Sequence, residues 1–305
     1  MLALAASDLV HSETCPHQMR NAALSHRLKS IAALNAAVQR GVNCPEEGNA
    51  MLATCFSLLF QSTLIDDGLV EYMTFIRGTT VIGSQMRFKQ MRFLFDQPFK
   101  DKQPKQNEAT NNNAPRIQQD VVLGAYQSFG KFQHLCQTKL ETEVYAALFN
   151  VVCSLITSSK DGKFPLIPQP QCITLNKTAA YLKLREIYKL FSYSMSHDEF
   201  RYYCDPNNQV CKILQAHFVA LQLIMDPIAK SEQELKAASC PVEEEKRAAT
   251  AGWLVALHRD IPAHLLNYYV WTMWIEREVS GGRVFEGKET YLKEGTGHCC
   301  QGLHE

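Results

Sequence analysis

Hydrophobic side chains recur at steps of three and four residues along most of this chain, which is typical of amphipathic α-helices. The strongest pattern lies in 49–86, where two such segments meet at a short acidic turn. In the first segment the apolar positions form a stripe too wide for a surface helix with a single neighbour: Met51, Leu52, Cys55, Phe56, Leu58 and Leu59. The region is therefore predicted to form a helical hairpin deep in a bundle. Gly78 and Gly83 are expected to break its second helix.

The acidic turn admits two interpretations. Asp66 and Asp67 could cap the second helix, because carboxylates accept its first backbone N–H groups and suit the positive end of its dipole. A carboxylate pair of this kind is also found in terpene synthases, all-α enzymes that hold magnesium. That site needs a third carboxylate three or four residues on, where this chain has Leu69 and Val70. No second ligand set is found, so the helix cap is favoured.

The same periodicity predicts further helices over 3–11, 21–40, 121–135, 140–156, 176–195, 210–225, 231–238, 242–259 and from Pro262 onwards. In 21–40, Leu24 and Leu28 are expected to lie on the inward face, and Gly41 is expected to end the helix. The segment 210–225 is apolar nearly all round and should be central or line a cavity. No segment alternates like a strand. The predicted fold is all-α, an irregular bundle of about ten helices in a single large domain.

Composition predicts where this domain ends. The segment 97–115 is polar and contains proline, and it lacks the apolar surface needed to offset its ordering entropy, so a mobile loop is expected. The segment 280–305 is rich in glycine and is expected to be a flexible tail, which leaves 1–279 as the domain. Met1 opens directly inside an apolar helical pattern, with no capping residue before it.

Charge and hydropathy restrict the classes of function. Among 305 residues, 46% are hydrophobic and the formal net charge is zero, so a large core is expected but no basic face for nucleic acid. No window approaches the roughly 18 apolar residues that cross a bilayer. The first ten residues lack the basic start of a signal peptide. These features predict an intracellular protein that is not secreted and has no membrane span.

Signals for metal binding and catalysis are weak. The 11 cysteines include no C-x-x-C pair, and Cys55, Cys136, Cys153 and Cys211 fit core positions of helices, which argues against a zinc site. His298, Cys299, Cys300 and His304 lie in the predicted tail, where a metal site would have no rigid support. No G-x-S-x-G, H-E-x-x-H, P-loop or dinucleotide motif is present. The chain is predicted to have no catalytic residues, metal or cofactor, and not to be an enzyme.

The region 49–86, with the motif FIRG at Phe75–Gly78, resembles the regulatory region of fungal zinc-cluster transcription factors of the sterol uptake control protein type. Three other segments are similar to helices of the same family: 1–10, 23–38 and 217–228. The resemblance extends in order over most of residues 1–280. It depends on packing patterns, and none of the matching motifs is a catalytic signature.

This resemblance implies a transcription regulator acting in the nucleus on a metabolic or biosynthetic gene set. The family's effector domain is all-α, forms homo- or heterodimers and binds a sterol or another apolar molecule between its helices. In the family, the helix that 1–10 resembles begins several residues earlier, so the resemblance implies a chain shortened at its N-terminus. The six-cysteine zinc cluster of the family is absent from this chain, so DNA contact is expected only indirectly or through a missing N-terminal domain. The alternative is a cytoplasmic all-α lipid-binding protein or a helical enzyme of unfamiliar type.

If the chain keeps such a pocket, the segments with the most apolar surface should line it, namely 51–60 and 210–225. Polar groups would orient the ligand, and apolar ones would surround it. The candidate ligand-binding residues are Phe56, Tyr72, Phe218, Leu221, Gln222 and His217. A lone histidine among apolar neighbours is more often satisfied by a nearby carbonyl, and that alternative is favoured for His217.

Overall fold

The computed structural model describes residues 17–94, 117–156, 177–234 and 243–280. Within these ranges the chain forms ten α-helices and no β-strand, which confirms the predicted all-α bundle. In chain order the helices are α1 (His17–Arg40), α2 (Pro45–Ser62), α3 (Leu69–Phe88), α4 (Gln119–Phe132), α5 (Lys139–Leu155), α6 (Lys177–Lys189), α7 (His197–Tyr203), α8 (Gln209–Glu234), α9 (Glu243–His258) and α10 (Leu266–Ser280). A π-helical turn, Leu190–Ser194, extends α6, and short 3₁₀ turns follow α4 and precede α10.

Local sequence explains several helix ends. Thr138 and Glu141 form a reciprocal capping box at the start of α5, and Ser196 and Glu199 form another at α7. Gly41 follows the last residue of α1 with φ +76°, a conformation that favours glycine, and so ends the helix as predicted.

Helix α8 lies at the centre of the larger apolar cluster. Nearly all its side chains between 213 and 225 are buried, and α5, α6, α9 and α10 pack around it. The sequence allowed this helix either a central or a cavity-lining position, and the structure places it in the core. Its central position sets the geometry of the candidate site, because the other helices meet over its surface.

A second, smaller apolar cluster lies among α1, α2 and α3. It consists of Leu34, Val42, Met51, Leu52, Cys55, Leu58, Phe75, Ile82 and Met86. Helix α3 takes part in both clusters, because Leu69 and Met73 near its start belong to the larger one. Further along α3, Arg77 donates to the carbonyl oxygens of Phe191 and Met195 at 2.7 and 2.9 Å. This helix therefore connects the two clusters.

The predicted inward face of α1 comprises Leu24, Leu28, Ile31 and Val38. It is wrong in the first half of the helix, whereas Ile31 and Val38 pack against the smaller cluster. Leu24 and Leu28 are 55% and 59% exposed, whereas Ala23 and Arg27 on the adjacent face are buried. The guanidinium of Arg27 donates to Gln61 Oε1 at 2.8 Å and pairs with Glu71. These polar partners on α2 and α3 turn Arg27 inward, and the two leucines therefore face outward.

Two predictions about the hairpin also fail. Gly78 and Gly83 do not break α3, which runs continuously past both. A Cβ atom added at Gly78 would lie 3.2 Å from Cys55 Sγ, so the glycine allows α2 and α3 to approach closely. The aspartates do not cap α3 either, because Gly68 occupies the N-cap position and no side-chain cap bond is present.

Other predictions concern the remainder of the chain. Helix α8 continues to Glu234 through Pro227, so the predicted boundary after 225 is wrong. The predicted helix 3–11, the mobile loop 97–115 and the tail beyond residue 280 lie outside the described residues. Among the described helices, none combines the length and the apolar character that crossing a bilayer requires.

Candidate functional site

The structure brings only some of the predicted ligand-binding residues together. Phe56 packs against the smaller cluster among α1, α2 and α3, whereas Tyr72, Phe218 and Leu221 belong to or pack against the larger one. His217 contacts the rings of Phe129 and Phe132, which also belong to the larger cluster. The two segments predicted to line one pocket, 51–60 and 210–225, therefore lie in different apolar clusters. Leu221 and Phe218 are fully buried side chains of α8.

Tyr72 and Gln222 meet through Tyr188, a residue that sequence reasoning missed. The hydroxyl of Tyr188 in α6 is hydrogen-bonded to the hydroxyl of Tyr72 in α3, and it accepts from Gln222 Nε2 in α8. The Phe218 ring contacts that of Tyr188 edge-on, with the centroids 5.8 Å apart. We name Tyr72, Tyr188 and Gln222 the tyrosine cluster. It joins three helices by polar contacts inside an apolar environment.

Burial controls the chemistry of the tyrosine cluster. It raises the pKa of Tyr72 well above its ordinary value, and it also raises the pKa of Tyr188, so both phenols stay neutral at physiological pH. Gln222 Oε1 is buried and has no hydrogen-bond partner in the described part of the chain. A buried acceptor left unpaired costs ~1–3 kcal/mol, so this oxygen would favour a donor.

His217 lies in a separate, fully buried environment. Its Nδ1 donates to the carbonyl oxygen of Ile213 at 2.8 Å, and its Nε2 accepts from the Ser128 hydroxyl at 2.9 Å. The Trp271 indole stacks on the imidazole with ring centroids 5.5 Å apart. The backbone carbonyl contact agrees with the alternative interpretation of this histidine as a residue satisfied within the core.

The Ser128–His217 pair has the donor and acceptor arrangement of a nucleophile and its base, but its electrostatics oppose that role. Complete burial lowers the pKa of His217 to about 3, and the contact with Ile213 compensates for only part of this effect. A base this weak holds a proton poorly near neutral pH, where general bases work best with a pKa close to 7. The pair therefore acts as a structural link between α4 and α8.

A groove opens at the surface next to this pair, between α4 and α10. It encloses about 270 Å³ and is lined by Asp120, Gly124, Gln127, Ser128, Lys131, Val270, Trp271 and Trp274. We name it the Trp groove. Val270 is 54% exposed on its wall. Indole rings and an aliphatic wall suit a flat apolar molecule, and the polar groups of α4 are available to orient it.

The position of Trp271 in the Trp groove is fixed from two sides. Its Nε1 donates to the carbonyl oxygen of Val121 at 3.1 Å, which anchors the indole to α4. A Cβ atom added at Gly124 would lie 2.8 Å from Trp271 Cδ1, so only glycine leaves room for the ring in this position. The wall of the groove is therefore well ordered before any ligand arrives.

Sequence reasoning did not identify the Trp groove, because the pairing of α4 with α10 leaves no local signal in the sequence. No group of three or more potential metal ligands occurs among the described residues.

The comparisons with known proteins add no relative: no protein-family model, curated protein or solved structure matches this chain significantly. The family resemblance of 49–86 therefore stays a prediction.

Proposed function

We propose that this chain is the effector and association domain of a transcription regulator, and that it binds a sterol or another apolar molecule in the Trp groove. The observation that carries the proposal is the region 49–86, whose sequence resembles the regulatory region of fungal zinc-cluster factors and which folds as the expected helical hairpin of α2 and α3. The proposed protein works in the nucleus as a homo- or heterodimer. It reaches DNA indirectly or through another domain.

The Trp groove supports the ligand part of this proposal. Its volume of about 270 Å³ lies just below the range of roughly 300–1,000 Å³ that is usual for ligand pockets. We therefore expect it to hold one end of a sterol, with the ring edge against Trp271 and Trp274. Gln127, Asp120 and Lys131 are polar groups available to the hydroxyl of such a ligand, and Ser128 can only accept from it, because its own proton is donated to His217.

A fluorescent sterol tests the groove directly. Wild-type protein should bind it, and Val270→Asp should weaken binding at least tenfold, because a carboxylate would then face the apolar ligand. Val81→Asp is the matched control, since Val81 is 44% exposed on α3 and does not line the groove. Unchanged binding by the Val270 variant would place the ligand elsewhere, and no binding by folded wild type would remove the ligand from the proposal.

A reporter assay tests the regulatory role. The chain is fused to an unrelated DNA-binding domain, and transcription is measured with and without added sterol. We expect the fusion to change reporter output, and Val270→Asp to remove the dependence on sterol. Sterol binding without any effect on the reporter would instead favour the alternative of an all-α lipid-binding protein.

A further inference from the structure

A second cleft lies on the other flank of α10, against the end of α9. It encloses about 320 Å³ and is lined by Val255, His258, Arg259, Met273, Glu276 and Arg277. We name it the arginine cleft. It shares no lining residue with the Trp groove, and it contains three basic side chains where the groove has one.

The floor of the arginine cleft is a built polar network. The buried imidazole of His258 places Nδ1 2.5 Å from Glu276 Oε2 and Nε2 2.9 Å from Thr272 Oγ1. The Thr272 hydroxyl in turn lies 2.9 Å from the carbonyl oxygen of Tyr269. These bonds connect α9 to α10 and hold the Glu276 carboxylate against the histidine, so Glu276 is not free to turn fully towards the arginines.

Within the described part of the chain, no acidic side chain pairs with the two guanidinium groups of the cleft. Arg259 and Arg277 are both exposed, and neither forms an ion pair with another residue in the described ranges. Two positive charges face one carboxylate here, and that carboxylate is already bound by His258. Guanidinium groups bind carboxylates and phosphates through paired, charge-assisted hydrogen bonds. The cleft should therefore attract an anion.

The apolar walls restrict which anion fits. Val255 is 46% exposed, and Met273 of α10 also lines the cleft. Such surface stays unfavourably hydrated unless an apolar group covers it, which inorganic phosphate cannot do. We propose that the arginine cleft binds a small organic carboxylate with an apolar tail. Its head lies between Arg259 and Arg277, and its tail lies on Val255 and Met273.

This site goes beyond the proposed regulatory function, because it concerns a different cleft and a charged ligand. Octanoate is a suitable probe, with octanol and inorganic phosphate as partial mimics that lack the charge or the tail. Isothermal titration should detect octanoate binding to wild-type protein. Octanol and phosphate should each bind at least tenfold more weakly, because each satisfies only half of the cleft.

Charge removal locates the site. The double variant Arg259→Gln/Arg277→Gln should lose at least tenfold in octanoate affinity, and added salt should weaken wild-type binding. Arg201→Gln is the matched control, since Arg201 is an exposed arginine on α7 away from the cleft. Both cleft arginines are exposed, so the double variant should keep the wild-type circular dichroism spectrum and melting temperature.

Three results would overturn the proposal: equal octanoate affinity in the double variant, octanol binding as tight as that of octanoate, or phosphate binding as tight as that of octanoate. Val270→Asp separates this site from the Trp groove. That variant should keep octanoate binding even if it loses sterol. Loss of both ligands together would mean that octanoate occupies the groove instead.

Discussion

Ser128 Oγ lies 2.9 Å from His217 Nε2, so a serine on the wall of the Trp groove also holds a fully buried imidazole. This hydrogen bond is one of the contacts that connect the groove to the core. Ser128→Ala should leave Nε2 buried without a partner and destabilise the fold by ~1–3 kcal/mol. Denaturant unfolding measures this difference.

The control for that substitution is Ser154→Ala in α5. Ser154 is only partly buried, and its hydroxyl donates to the carbonyl oxygen of Asn150 one turn earlier. We expect a change within ~0.5 kcal/mol there. Equal effects of the two substitutions would mean that the Ser128–His217 bond contributes nothing specific.

Stability should fall with acidification because of His217. Its pKa is about 3 in the folded protein and near 6.5 when the side chain is exposed by unfolding. Between these values the unfolded state binds a proton that the folded state does not, so stability is complete above about pH 6.5 and decreases as the pH falls towards 3. The slope approaches ~1.4 kcal/mol per pH unit for this one group.

The substitution His217→Gln tests whether His217 lowers the stability of the fold at acidic pH, because glutamine does not titrate. The pH range 5–6.5 is the most informative, since most carboxylates begin to titrate below it. The variant should show a shallower decrease of unfolding free energy than wild type over this range. His258, whose pKa is also lowered by burial, should supply the remaining slope. An identical slope in both proteins would contradict the assignment.

Two glycines of α4 should respond to alanine with opposite signs. A Cβ atom at Gly130 would meet no other atom within 4 Å, so Gly130→Ala should stabilise the helix by ~0.5–1 kcal/mol. At Gly124 the same atom would lie 2.8 Å from Trp271 Cδ1, and the buried indole would have to move. Gly124→Ala should therefore lower the melting temperature and change the tryptophan fluorescence. If both substitutions stabilise the protein, the Trp271 indole moves aside without a cost in free energy, and the predicted steric conflict at Gly124 is wrong.

Removing the buried charge of Arg27 should be costly. Its guanidinium donates to Gln61 and Ser62 and pairs with Glu71, and all three lose a partner in Arg27→Ala. We expect a loss of at least ~2 kcal/mol in the free energy of unfolding. Arg40→Ala is the control, since Arg40 is 62% exposed and reaches Glu47 only at 3.7 Å, and ~0.5 kcal/mol or less is expected there. A small effect of Arg27→Ala would contradict a stabilising role for this network.

Sequence periodicity predicted the fold best where apolar spacing acts alone. In α5, which agrees with the predicted helix 140–156, the apolar residues at helical spacing are all buried: Val144, Leu148, Val151 and Leu155. Sequence periodicity failed where a polar residue determines which face of a helix is buried. Counting apolar positions placed Leu24 and Leu28 on the inward face of α1. The partners of Arg27 lie on α2 and α3, and nothing in the sequence of α1 indicates them.

The candidate site was less predictable than the fold, because it depends on contacts between distant segments. Tyr72 and Gln222 were both identified, but Tyr188, which joins them, carries no motif. The Trp groove forms where Gly124 admits the ring of Trp271, and 147 positions of sequence separate the two. Only the packing of α4 against α10 brings them together.

Helix α10 separates the two clefts, with Trp271 and Trp274 facing the Trp groove while Glu276 and Arg277 face the arginine cleft. A helix moves largely as a rigid rod, so a displacement that widens one cleft also changes the width of the other. If an occupant of the groove shifts α10, the affinity of the arginine cleft for its own occupant changes by some factor. Thermodynamic reciprocity then requires the second occupant to change the affinity of the first by the same factor.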